Sequence, residues 1–400
     1  MFDLLDERVY YERPIALRNP IVFYEGHLPA FAVNTLIRKA LGRPGIDAHL
    51  ETIFARGIDP DTEADAVARG NPAWPSRETV RAYAAEADRV IAEAIASAEL
   101  VDAANPLLDG AQALWAILEH EEMHQETLAY MWHELPYGAK QKPHGYVTAT
   151  PASLTTIGRS RVRIPAGIAT LGTPVDEGFA WDNERPPQTV RVESFDVDVH
   201  KVTNAQFLEF VEATDHPAPH FWARDGDRWY WRGMFERIPL PASWPVYVTC
   251  ADAHAYARWR GLRLPTEAEF QRAAYGTPAG LEHRYPWGET LGDAPPGNFD
   301  FRRWDPEDVD AHPNGVSAFG VHGLVGNGWE WTATTFGPFE GFMPLPSYPE
   351  YSADFFDGDH VVMKGASPLT ARSLVRPGFR NWFRPEYPYV YATFRCVGPA

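Results

Sequence analysis

The sequence predicts a small helical bundle followed by a loop-rich α+β domain. Residues 1 to about 135 are dominated by Ala, Leu and Glu, with Pro and Gly clustered between segments rather than within them. From about Val147 short alternating runs separated by turn residues take over. Between the two regions, PYGAKQKPHGYVTATP (Pro136 to Pro151) has the composition of a linker. The expected domains are therefore 1–140 and 155–400. A chain of 400 residues also exceeds what one small core accommodates.

Each element has its own signal. A first helix starts near Ile21 and runs through VNTLIRKAL to Gly42, a C-terminal stop. A short helix is expected from Ala48 to Arg56. Ser76 is an N-cap for VRAYAAEADRVIAEAIASA, and a last bundle helix spans about Pro106 to Leu135. In the second region, TTIGRSRVRIPAGIATLGT and QTVRVESFDVDVHKVT read as strands. Asn204 to Ala213 and Ala251 to Arg260 read as helices among Gly-, Pro- and Trp-rich connections.

Composition narrows the function. A formal net charge of −18 disfavours nucleic acid and anionic membrane surfaces, which would repel the chain. No apolar run is long enough to span a bilayer, and the charged N-terminus lacks a signal-peptide core. Cys250 and Cys396 are too few for a disulfide framework, so a cytoplasmic setting is expected. The assembly expected is a monomer or a weak homo-oligomer. The 14 Trp residues are more than the core needs, though core filling still accounts for most of them.

The chemistry-bearing pattern is LWAILEHEEMHQETLAYMWHEL. His120 and His124 stand four residues apart, on one face of a helix that continues through Ala113, Ile117, Thr127 and Met131. That spacing suits two imidazoles on one metal ion, and it also suits two satisfied core histidines. HEEMH further matches the zinc-protease pattern HExxH, with Glu121 in the place of the general base. His27, in FYEGHLPAF at the head of another bundle helix, is the best-placed third ligand. His49 and His133 are weaker, the latter because it lies on the opposite face from the pair.

The C-terminal region carries GLRLPTEAEFQRAAYG (261–276), YPWG (285–288), GNGWEWT (326–332), KGAS (364–367) and a terminal FRC (394–396). This succession resembles the formylglycine-generating-enzyme fold, a C-type-lectin-like α+β domain. The first region, with His27 and the run His120, His124, Glu126, is similar to a DinB-like four-helix bundle. Together, in this order, they resemble the ergothioneine-type sulfoxide synthases. The resemblance implies Fe(II) held by His27, His120 and His124, O2 as co-substrate, and a pocket between the domains. It implies coupling of a thiol to the imidazole C2 of hercynine, the trimethyl betaine of histidine. Cys250 and Cys396 do not resemble the reactive pair of formylglycine generation.

The resemblance also assigns substrate residues. Asn381-Trp382 matches the family's hercynine-binding pair, with Trp382 a candidate for cation–π contact with the trimethylammonium. Trp329 and Trp331 are more simply read as core. Members that take γ-glutamylcysteine carry an Asp and an Arg where this chain has Phe383 and Tyr387. Two aromatics in place of charges leave stacking faces suited to a sugar, with Arg384 as a remaining anion partner. On that basis the chain resembles the selenoneine-synthase branch, with a selenosugar as donor and a C–Se bond formed. Cysteine, γ-glutamylcysteine or a thiosugar would be the donor otherwise. Met123 stands where the family often has Gln, at the edge of the hercynine site. The family's proton-donating tyrosine falls in FGPFEGFMPLPSYPEY, which offers Tyr348 and Tyr351 without a register to choose between them; Tyr348 is carried forward. A DinB-type metal-dependent thiol transferase and a lectin-like binding module are the competing functions.

Overall fold

The computed structural model describes residues 1–55, 73–148, 157–174 and 176–400. The chain divides into two compact units. The first comprises Met1–Tyr146 together with Pro346–Tyr348, and the second Val147–Leu345 and Pro349–Ala400.

The first unit is helical, as its composition predicts. α1 (Ile21–Ala32) continues as a π-helical stretch, Val33–Ala40, and the chain turns at Gly42 with φ +63°. Pro29 lies inside α1 and has no N–H to give, so the ladder is already interrupted where the wider turns begin. A uniform helix to Gly42 was the sequence expectation; the chain keeps its helical path but with an altered rotation per residue. α2 (Ala48–Ile53) is capped by Asp47, which accepts from the amides of His49 and Leu50. Its expected end at Arg56 lies outside the described residues. α3 (Arg77–Ser97) starts where Ser76 accepts from the Thr79 amide, as the sequence implies. α4 (Gln112–Glu134) starts six residues later than expected from Pro106. Gly110 and Ala111 both adopt left-handed φ near 59°, which no α-helix can pass through.

Val33, Leu36 and Ile37 pack with Ala87, Ala94, Leu108 and Ala113 to form the bundle core. Buried Glu25 receives Arg77 (3.4 Å) and Arg81 (3.3 Å), tying α1 to α3. α1 also packs against α4 within this unit, which brings His27 to the α4 histidines.

The second unit contains sheets. β1 (Arg161–Ile164), β4 (Phe195–Asp198) and β12 (Val397–Pro399) form one, in the order β1-β4-β12. β2 (Gly167–Leu171) pairs antiparallel with β3 (Gln188–Val192). A further sheet has the order β10-β9-β8-β11: Asn381–Phe383, Val361–Ala366, Gly328–Thr335 and Ala392–Thr393. β5 (Trp222–Asp225), β6 (Arg228–Arg232) and β7 (Arg237–Pro239) make a separate meander. α5 (Asn204–Thr214), α6 (Cys250–Trp259) and α7 (Glu267–Tyr275) each begin with a capping box, at Thr203/Gln206, Thr249/Asp252 and Thr266/Glu269. Trp329 and Trp331 are buried on β8, and the Trp331 indole donates to the Val248 carbonyl (2.9 Å), so both are core as expected. Beside them Arg395 holds Glu330 through two bonds (2.6 and 2.8 Å), a buried pair satisfied on both sides.

Among the described residues no helix is long and apolar enough to cross a membrane.

Candidate metal centre

Helical geometry sets the first pair. His120 and His124 project from the same side of α4, one turn apart, with ring centroids 4.4 Å from each other. His27 comes from α1, its ring 5.0 Å from each of them. One ring nitrogen from each of the three lies within 4.8 Å of the others. His27 and His120 are buried, at 1% and 4% exposure. His49 is exposed and stands outside the cluster, as does His133, whose carbonyl accepts from Lys140 (3.3 Å). Glu121 is exposed on α4, so the HEEMH pattern does not aim a general base at the pair.

Hydrogen bonding fixes one tautomer. Nδ1 of His27 lies 2.7 Å from the Phe54 carbonyl, which can only accept. Nδ1 therefore carries the proton, and Nε2 of the neutral ring presents its lone pair toward Nε2 of His120, 3.3 Å away. Nδ1 of His124 is buried without a hydrogen-bond partner among the described residues. Such a convergence is costly to desolvate when empty, and a bound cation offsets that cost. The residues fit a metal ion, and the cluster could hold one.

Electrostatics point the same way. Burial lowers the His27 pKa from the ordinary 6.5 to about 4, against a smaller rise from the Phe54 bond. Burial likewise holds His120 and His124 well below the ordinary range, followed by mutual repulsion within the cluster and, for His124, by the charge of Arg18. All three are thus neutral near pH 7, the form that binds metal. In metal-free protein the unfolded chain takes up protons below pH 6.5 that the folded site refuses. Stability is therefore fully kept above pH 6.5 and lost as pH falls. His27 alone accounts for about 3 kcal/mol by pH 4. Denaturant titrations of metal-free protein at pH 7, 6 and 5 check this; a flat profile would contradict it.

Tyr348 belongs to this unit as well. Its ring lies 6.2 Å from His120 and 5.3 Å from Phe31. The Ser347 carbonyl next to it accepts from Lys39 (3.2 Å) on the π-helical stretch. Tyr351 instead stacks on Trp181 at 4.0 Å and meets Trp382 edge-on at 5.4 Å. The structure thus separates two tyrosines that the sequence left equivalent.

In the second unit Asn381, Trp382 and Phe383 form β10, and Arg384 and Tyr387 follow in the next turn. Trp382 stacks on Phe336 at 4.2 Å with an interplanar angle of 6°. Met123 is half-buried on α4, adjacent to His124 in the chain. Burial pushes the Cys250 thiol up to about 12 and Cys396 well above its usual range, so neither is a reactive thiolate. Sequence reasoning missed Phe31, which lies face to face with His120 at 3.6 Å, although its position four residues after His27 put it on the same helical stripe. It also missed the Phe54 carbonyl, for which no sequence signal exists.

Comparison with known proteins gives a consistent picture. Residues 148–400 match the sulfatase-modifying factor enzyme 1-like domain, and residues 1–128 match the DinB superfamily. The chain is similar to a hercynine oxygenase of Mycolicibacterium smegmatis, 35% identical over 70% of this chain and 70% of the relative. Ergothioneine biosynthesis protein 1 of Schizosaccharomyces pombe is 28% identical over 98% of this chain and 53% of its own length. A formylglycine-generating enzyme of Streptomyces coelicolor is 34% identical over 66% of this chain and 96% of the relative.

These relatives correct the expected donor. Five relatives are hercynine oxygenases or ergothioneine biosynthesis proteins, and none singles out a selenium branch, so the finding is against a selenosugar donor. In the structure Phe383 and Tyr387 stack on each other at 4.9 Å and 22°, so each ring covers one face of the other.

Proposed function

The chain belongs to the hercynine oxygenase family, with a DinB-type bundle ahead of its sulfatase-modifying-factor-type domain, and from that premise we propose that it uses Fe(II) and O2 to couple a thiol to the imidazole C2 of hercynine. The family and the histidine cluster make it a non-haem metal-dependent oxidoreductase. The observation that carries the proposal is the convergence of three neutral imidazoles from two helices with a tyrosine ring beside them.

His27, His120 and His124 are the proposed ligands. When bound, ferrous iron supplies redox chemistry with O2, and three protein ligands leave coordination positions for the substrates. The overall reaction breaks the C2–H and S–H bonds and forms a C–S bond. O2 takes up four electrons, one oxygen staying as the sulfoxide and the other leaving as water. Tyr348 is the proposed proton donor at its hydroxyl. Asn381 and Trp382 are assigned to hercynine, the indole facing the trimethylammonium. Arg384 is assigned to a substrate carboxylate. Phe383 and Tyr387 offer neither charge of an amino-acid recognition pair, which supports a thiol that does not depend on such a pair there. The buried free thiols Cys250 and Cys396 accord with a reducing, cytoplasmic compartment.

The test is reconstitution with Fe(II) under anaerobic conditions, then addition of hercynine, O2 and, in separate reactions, cysteine, γ-glutamylcysteine and a thiosugar. Mass spectrometry should find an adduct of both substrates carrying one added oxygen, absent without O2 or with chelator. An adduct formed without O2 would instead indicate a thiol transferase. Absence of any hercynine adduct with every thiol would sink the proposal.

A further inference from the structure

α1 carries Phe23, His27 and Phe31 at four-residue steps, so the three rings share one stripe of the helix. Phe23 stacks on His27 at 4.9 Å and 21°. Phe31 stacks on His120 at 3.6 Å and 10°, and its ring also meets Tyr348 at 5.3 Å and 59°. One side chain therefore touches both a histidine of the cluster and the tyrosine beside it.

The two stacked histidines are restrained differently. His27 has a hydrogen bond from Nδ1 to the Phe54 carbonyl, which sets its ring rotation. His120 has one hydrogen-bond partner among the described residues, Nε2 of His27, which belongs to the cluster itself. Among the described residues nothing outside the cluster holds the His120 plane by hydrogen bonding. A parallel ring at 3.6 Å does so by sterics, because turning the imidazole about its Cβ–Cγ bond would drive its edge into Phe31. Phe31 is 7% exposed and cannot yield toward solvent.

We propose that Phe31 is a positioning residue of the metal centre: its ring sets the plane of His120, and thus the direction of the ligating lone pair, while seating the ring of Tyr348. The role rests on the reading of His120 as a ligand and of Tyr348 as a proton donor. A bland alternative is that Phe31 only fills space. The two differ in what leucine does, since Leu keeps most of the apolar volume but offers no plane.

The experiment uses the full chain loaded with Co(II), whose visible absorption bands report ligand geometry, and in parallel with Fe(II) for turnover. Phe31→Leu should weaken cobalt binding about tenfold, the lower end of what lost ligand support costs, and should shift the bands. In the iron-loaded enzyme kcat should fall about tenfold, with KM for hercynine and thiol within about twofold, because both ligand and tyrosine are displaced and substrate contacts are kept. Phe23→Leu is the control, as it removes a buried ring from a histidine that keeps its hydrogen bond; its bands should stay close to wild type. Should Phe31→Leu fail to fold, Phe31→Met is measured in its place. Wild-type bands and affinity in the Phe31 variant would overturn the inference, and so would an equal shift in Phe23→Leu, which would mark both as packing. If wild-type protein forms no hercynine adduct, the proposed reaction fails, but the cobalt measurements still decide the role of Phe31.

Discussion

His120→Ala and His124→Ala each lose metal binding by more than about 10²-fold, the upper end of what removal of mere outer support costs, and lose turnover with it. The expectation follows from the donor set. Two remaining imidazoles cannot replace the third, and among the described residues no carboxylate joins the three histidines in the cluster. The same substitutions separate a metal site from a pair of core histidines. Metal bound to the folded state alone raises the wild-type melting temperature by mass action. Both variants should lose that metal-dependent rise. Their metal-free stability should change less, because the lost histidine carried an uncompensated burial cost. The measurements are metal stoichiometry and thermal melts with and without Fe(II). A metal-dependent rise that survives in both variants would show that these histidines are not ligands.

Tyr348→Phe should lower kcat by about 10²- to 10⁴-fold, the range supplied by a positioned proton donor, with KM for both substrates nearly unchanged. The substitution removes a hydroxyl and keeps the ring that packs on Phe31 and lies by His120. Loss of kcat would therefore not come from lost ring packing. Tyr351→Phe is the matched control, since that ring stacks on Trp181; its kcat should stay within about threefold of wild type. Steady-state kinetics under saturating O2, with product counted by mass spectrometry, checks both. An unchanged kcat in Tyr348→Phe would remove the proton-donor role and leave the metal assignment standing.

Much of the bundle was legible because its signals are local. Ser76 caps α3, Gly42 ends the first helix, and the four-residue spacing of His120 and His124 places them together whatever α4 packs against. Where the readings failed, the cause was still a nearby backbone feature. Left-handed Gly110 and Ala111 delayed α4, and Pro29 preceded a change from α to π turns. The donor reading is overturned by relatives that are hercynine oxygenases and ergothioneine biosynthesis proteins. The stacking of Phe383 on Tyr387 across a turn was also not legible, since composition cannot show which face of an aromatic is covered.

By itself the sequence determined the two-region architecture and a same-face histidine pair. Both follow from hydrogen-bond periodicity and side-chain sterics acting over a few residues. Only the tertiary structure decided that His27 completes the cluster from 93 residues before His120, and that the Phe54 carbonyl sets its tautomer. It alone set the ring of Tyr348 beside His120 and that of Tyr351 against Trp181, three residues apart in one loop. Those contacts are set by which faces of distant segments pack together, and in an irregular loop each residue turns its side chain independently of any repeating pattern. Such a choice is made by burial and close packing across the fold, for which a local stretch of sequence carries no periodic signal.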